Sequence, residues 1–300
     1  MKQLKKRWYV ALLFALPLLV TACGGSSSKG GGGGSNDATS LITQIQHRGE
    51  LRVGLASAQP WQVHDPKTQQ WSGVFVDVMR DWAKTLGVKF TPVPTTWQNM
   101  ITGLQAGHYD IASSLNSTPK RSLSVVYSDP VVQDLAAFAL YPAKTPGVTS
   151  WADLNNSKYT ICVQQGSAED LGLTAIEPKA KMLRLADENS CRLALQTGRA
   201  NAFFDDWNGQ GPFAKSTPGV KLMWAPTPLV DEGIDYAIAP GGDTFATIQA
   251  LNIEIATFIN SGQLARSEAK WNLVNPVSYA IGTVPAYVKQ AASQEFPQGS

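Results

Sequence analysis

The sequence predicts an α/β protein of two lobes, on three observations. From Leu41 onward, short apolar runs alternate with segments of helical period, the pattern of α/β units on largely parallel sheets. The alternation breaks at the Pro- and Gly-containing residues 142–147 and then resumes as a second set. Apolar extended stretches near 138–142 and 234–239 stand where the chain would cross between the two sets, and paired linking strands make a natural hinge.

Residues 51–56 (LRVGLA) read as the first strand. Residues 77–86 read as a helix stopped by Gly87, residues 88–93 as a strand, and residues 97–106 as a helix stopped by Gly107. Residues 109–115 form the next strand, and the apolar run 135–141 is long enough to be buried on both faces. After the break, Ser150 with Asp153 spells a capping box that opens a short helix. The second set follows as strand 159–164, helix 168–176, strand 182–185, helix 191–197 and strand 202–206. Residues 234–239 are another buried strand. The helix after it carries Ile248, Leu251, Ile255, Phe258 and Ile259 on one stripe and ends at Gly262. The expected division is lobe 1 over 41–140 and 236–285, lobe 2 over 141–235, and a flexible tail over 286–300.

The chain has 300 residues, 43% hydrophobic and 16% charged, which suits a globular core and excludes a disordered chain. Three cysteines are too few for a zinc ribbon or a Cys-rich scaffold. The first segment is basic (Lys2, Lys5, Lys6, Arg7), then apolar over 8–20, a signal h-region too short to span a bilayer. Without those four cations the net charge of +2 becomes −2, with no basic tract, so a nucleic-acid partner is not expected. Residues 20–23 (VTAC) resemble the bacterial lipoprotein signal, which implies removal of residues 1–22 and acylation of Cys23. Residues 24–37 are almost pure Gly and Ser, and the stretch 23–40 reads as a tether.

No GxSxG, HExxH, CxxC or Walker pattern occurs, and no catalytic residue, metal or cofactor is expected. His47, His64 and His108 read as solvated residues. The doublets Glu169-Asp170 and Asp231-Glu232 read as surface pairs. Asp205-Asp206 differs because it ends the apolar run 202–204, where α/β sheets bind ligands. Neighbours on a strand face opposite ways, so only one of the two is expected in a cleft. Arg121 follows a polar turn. It is either a surface arginine or, with Ser114, Thr118 and backbone N–H groups, a carboxylate clamp. Trp82 and Trp271 fall in helical patterns and belong to the core, whereas Trp61 and Trp97 are placed to line a cleft.

Taken in order, RGELRVGL (48–55), WSGVFVDVMRDWAKTLGVK (71–89), TTWQNMITGLQAGHYDIA (95–112), STPKR (117–121), YSDP (127–130), ICVQQGSAED (161–170), LQTGRANAFFDD (195–206) and SGQLARSEAKW (261–271) resemble one family. It is family 3 of the solute-binding proteins, the extracytoplasmic lipoproteins and periplasmic proteins of amino-acid ABC importers. The resemblance implies a periplasmic-binding-protein type II fold, two α/β lobes joined by two hinge strands, that delivers an amino acid to a permease. By position, Arg121 then pairs with the ligand α-carboxylate, with Asn116, Ser114 and Ser167 near it. Asp206 receives the α-ammonium, and Trp61 and Trp97 sandwich the side chain. Ala58-Gln59 departs from the family, which often has an aromatic before the proline of this loop. The resemblance also implies a disulfide between Cys162 and Cys191, an oxidising compartment, a monomer, and contact with the bilayer only through Cys23. Cyclohexadienyl dehydratases resemble the same family, so an extracytoplasmic enzyme is the alternative, and a receptor's sensor partner is a third possibility.

Replacing Cys23 by serine is expected to move the protein from the membrane to the soluble fraction. Unchanged membrane association, or a mature amino terminus at Ala22 or earlier, refutes the acylation.

Overall fold

The computed structural model describes residues 40–296, apart from 177 and 272. The signal segment, Cys23 and nearly all of the tether lie outside the described residues. No helix among those described is long and apolar enough to cross a membrane.

The first lobe begins with α1 (Leu41–Arg48), whose Ser40 cap accepts from the Thr43 amide. It continues through β1 (Glu50–Leu55), the small hairpin β2 (Val63–His64) and β3 (Trp71–Ser72), α2 (Val74–Thr85), β4 (Lys89–Pro94), α3 (Met100–Gln105), β5 (Ile111–Asn116) and β6 (Val126–Tyr127). β1 lies between β4 and β5, parallel to both. Apolar side chains cover the sheet on both faces. Val53, Leu55 and Ile111 pack against Phe75, Met79 and Trp82 of α2, while Ala112 and Leu115 pack against Met100, Leu104 and Tyr109.

β7 (Val132–Leu140) carries the chain into the second lobe. That lobe comprises α4 (Trp151–Leu154), β8 (Thr160–Gln164), α5 (Ala168–Ala175), β9 (Lys181–Leu185), α6 (Glu188–Thr197), β10 (Ala202–Asp206), α7 (Trp207–Ser216) and β11 (Lys221–Met223). β8 lies between β9 and β10, parallel to both, and β10 runs antiparallel to β7. Period-2 alternation splits the aromatic pair of β10: Phe203 enters the core with Trp207 and Trp224, and Phe204 the opposite core with Phe138 and Val163. β12 (Asp231–Ile238) returns to the first lobe, followed by α8 (Thr244–Asn260) and α9 (Gln263–Lys270).

The two crossing strands pair with each other only where they meet. Val132–Leu135 of β7 lie antiparallel to residues 231–234 of β12. From Ala136 β7 belongs to the second sheet, and from Ile234 β12 belongs to the first. The lobe boundary on the outgoing strand therefore lies near residue 135, not after residue 140.

A third crossing was not anticipated. Leu273, just beyond α9, touches the cores of both lobes. The chain then stays on lobe 2: Ile281 donates to the Leu222 carbonyl at 2.8 Å and Tyr287 Oη to that of Ala225 at 2.9 Å. The segment expected as a tail begins with α10 (Ala286–Glu295), whose Val288 and Ala292, with Phe296, are buried against the lobe-2 core. Residues 273–285 thus also belong to lobe 2, because their apolar side chains find cover there.

Cys162 of β8 and Cys191 of α6 form a disulfide, 29 residues apart in sequence with Cα atoms 5.6 Å apart. Closing a loop of this length is worth about 3–4 kcal/mol in the chain-entropy account. Replacing both cysteines by alanine is expected to cost an amount of that order in guanidinium unfolding. Two titratable thiols from these positions in the exported protein would contradict the bond.

Burial pushes the Glu295 carboxyl up to about 7 from 4.5, against the stabilising hydrogen bond from Asn208. An acid whose folded pKa is raised contributes stability fully present at low pH and lost as pH rises from about 4.5 through 7. Glu295→Gln is expected to remove that slope and to stabilise the protein at pH 8 by about 2 kcal/mol. Equal slopes for variant and parent between pH 5 and 8 count against this origin.

Candidate functional site

The parallel strands of each lobe end at the same place. The ends of β5, β8 and β10, with the segments after β1, β4, β5 and β8, supply most of the lining of one space between the lobes. This is the position at which open α/β sheets receive ligands, beyond the carboxyl ends of their strands. Trp61, Trp97, Ser114, Asn116, Arg121, Ser167 and Asp206, all singled out from sequence, line it together.

Arg121 opens a 3-10 turn after β5 and is 6% exposed. Its guanidinium donates to the Asn116 carbonyl at 3.0 Å and, across the cleft, to the Gly166 carbonyl at 2.8 Å. Of its five N–H donors, up to three remain for a third partner. Burial lowers its pKa, and the negative potential of Tyr127 and Glu169 opposes that. Ser114, within β5, is held at φ +55°, in the left-handed region. Asn116 donates to Asp134 Oδ2 at 2.9 Å.

On the other wall, Ser167 caps α5, its Oγ accepting from the Asp170 amide at 3.2 Å. Its own N–H goes to the Gln164 carbonyl at 3.1 Å, and its hydroxyl bonds the Glu169 carboxyl. Asp206 caps α7, with Oδ1 accepting from the Gly209 amide at 2.9 Å. Trp97 donates to Gln164 Oε1 at 3.1 Å, closing the cleft from one lobe to the other. Trp61 is 1% exposed and stands edge-on to Phe75 at 5.9 Å, between the lobe-1 core and the cavity.

Asp205 corrects an expectation. Strand alternation was to turn it away, yet it lines the same space as Asp206. β10 ends there and α7 starts, so the strict alternation lapses. The Gln164 amide donates to both Asp205 oxygens, at 3.1 and 3.3 Å.

Asp134, Gln164 and Glu169 also line the cleft and were not read from sequence. Asp134 borders an apolar run, and Glu169 belongs to a doublet that reads as surface. The end of β8, by analogy with the end of β10, was the available signal for Gln164. Burial raises the carboxyls of Asp134, Asp205 and Asp206 well above the usual range. The next cause is a neighbouring carboxylate, Glu169 for Asp134 and Asp205, and Asp134 for Asp206. Glu169 is raised by burial too, against its bond with Ser167 and the charge of Arg121.

The walls meet along a tight seam. Gly166 has φ +79° and a Cβ there would stand 2.9 Å from the Gln98 Cα; one on Gly209 would stand 2.7 Å from the Gln59 carbonyl oxygen. Beside it, Gln59 donates to Glu188 at 3.0 Å and accepts from Arg192 at 2.9 Å.

Known proteins share this architecture. A crystal structure of an ancestral amino acid-binding protein, a precursor of cyclohexadienyl dehydratase, superposes with a TM-score of 0.70 at 29% identity, covering 77% of this chain and 99% of that one. A binding component of an ABC transporter from Wolinella succinogenes, complexed with lysine, gives a TM-score of 0.67 at 28% identity over 75% of this chain and 96% of that one. A Sinorhizobium fredii protein named as an amino-acid ABC transporter periplasmic-binding protein is 25% identical over 68% of each chain. The two lobes are those of a type II periplasmic binding protein. The sequence profile of the bacterial extracellular solute-binding proteins, family 3, matches residues 51–274, and the chain belongs to that family.

Proposed function

We propose that this protein captures an amino acid between its lobes, outside the cytoplasm, and delivers it to an ABC permease without chemical change. The observation that carries the reading is the pair Arg121 and Asp206, a buried cation of lobe 1 and a buried carboxylate of lobe 2 lining one space between the lobes. A zwitterion matches that pair, with its α-carboxylate on Arg121 beside Ser114, Asn116 and Ser167, and its α-ammonium on Asp206. Because those partners sit on different lobes, the ligand favours the closed arrangement by contacts that an open one lacks. Trp61 and Trp97 cover the rest of the molecule and keep water from the charges. In the same reading Cys23 carries the lipid that keeps a monomeric protein at the membrane, near its permease.

Truncating one partner of a buried charge pair costs about 2–5 kcal/mol, tens- to thousands-fold in affinity. Arg121→Ala is therefore expected to abolish binding, as seen by the loss of thermal stabilisation by amino acids. Asp206→Asn keeps an acceptor for the α7 cap while removing the charge, and is expected to weaken binding to a similar degree with the unliganded melting temperature nearly unchanged. An amino-acid analogue lacking the α-amine or the α-carboxylate that binds as tightly as its parent would falsify the clamp. Turnover of arogenate or prephenate would instead reveal an enzyme.

A further inference from the structure

We infer that the cleft selects amino acids whose side chain carries a positive charge, because the buried carboxylates of its lining outnumber the cations. This rests on the amino-acid reading above and extends it to the ligand side chain. The lining contains one cation, Arg121, and four carboxylates, Asp134, Glu169, Asp205 and Asp206, which are 1%, 4%, 5% and 7% exposed. A zwitterion held by Arg121 and Asp206 is itself neutral and leaves the other three carboxylates unbalanced. Asp134 is the sharpest case. Its Oδ2 accepts from Asn116, while its buried Oδ1 has no hydrogen-bond partner. An orphaned carboxylate oxygen in a buried space lacks a donor, and a donor that also brings charge satisfies it best.

The surrounding groups supply little compensation. Asp134 feels Glu169 from α5, Asp205 from β10 and Glu295 from α10, all repulsive, against the hydrogen bond from Asn116 of β5. Asp205 feels Glu169, Asp206 and Glu188 against it, with Arg192 and the Gln164 amide in its favour. Arg192 is already paired with Glu188. Arg121 faces Tyr127, Glu169 and Glu232. Among the described residues, no three His, Cys, Asp or Glu side chains stand close enough together to hold a metal ion. Burial raises each of these carboxyls above its ordinary range, and a cation beside them favours their charged form and draws them back down. Affinity for a cationic side chain therefore falls as pH is lowered and the carboxyls are protonated. An acidic side chain meets the same carboxylates and is repelled.

The test is isothermal titration calorimetry of the purified protein, dialysed free of carried-over ligand. The probes are L-arginine, L-lysine, L-citrulline, L-glutamine, L-glutamate and the diamine cadaverine. Arginine and citrulline have nearly the same shape and differ in charge. Arginine or lysine is expected to bind tightest, citrulline and glutamine about 10- to 100-fold more weakly, and glutamate not measurably. Asp134→Asn and Glu169→Gln are each expected to shrink the arginine-to-citrulline ratio severalfold. If a variant fails to fold, the comparison in the unmodified protein decides. Citrulline or glutamine binding as tightly as arginine overturns the charge selection and leaves the amino-acid reading standing. Cadaverine binding as tightly as lysine overturns the amino-acid clamp instead. Failure of every probe to bind overturns both.

Discussion

The rest of the molecule depends on a short antiparallel contact between β7 and β12. Only residues 132–135 and 231–234 pair, and beyond them each strand is committed to a different sheet. The arrangement gives each lobe a full sheet with two covered faces while leaving a narrow joint between them. It also fixes where the cleft must be, because the parallel strands of both lobes run toward the space beside the joint. Asp134 and Ile234 lie within this joint and line the cleft, so the joint is connection and wall at once.

The closed arrangement places charge where solvation is poor. A guanidinium bonded to carbonyl groups of both lobes has exchanged water for fixed dipoles, which suits a group that must receive an anion without rearranging. The carboxylates opposite are costly to bury, and that cost is tolerated at a binding site because a ligand can offset it. Stability and recognition draw on the same groups in opposite senses. The seam at Gly166 and Gly209 shows how far the walls have been allowed to approach. Both positions place one lobe's backbone against the other's with no room for a side chain.

Legibility in the sequence followed periodicity. The strand at 202–206 was readable because its apolar residues are contiguous, and the split of Phe203 and Phe204 between two cores explains why they must be. α7, which follows it, was not readable. Gly209, Gly211 and Pro212 erase a helical signal that tertiary packing restores. α10 did carry a signal, Val288, Ala292 and Phe296 at spacings of four, although it sits in polar surroundings. The cleft residues drawn from the family resemblance converge, and those that no pattern marks are single polar residues. Asp134 meets Asn116, 18 residues earlier, only because β5 and β7 both pair with β12, which comes from a distant part of the chain.

The third crossing has a geometric consequence. α1 is held to lobe 1 by the bond from the Leu41 amide to Asp243, whereas α10 is packed into lobe 2. The two ends of the described chain are therefore attached to different lobes, and any change in the angle between the lobes becomes a change in the distance between the ends. A donor and an acceptor fluorophore placed at the two ends of the described chain would convert occupancy of the cleft into an optical signal, with no label placed near the ligand.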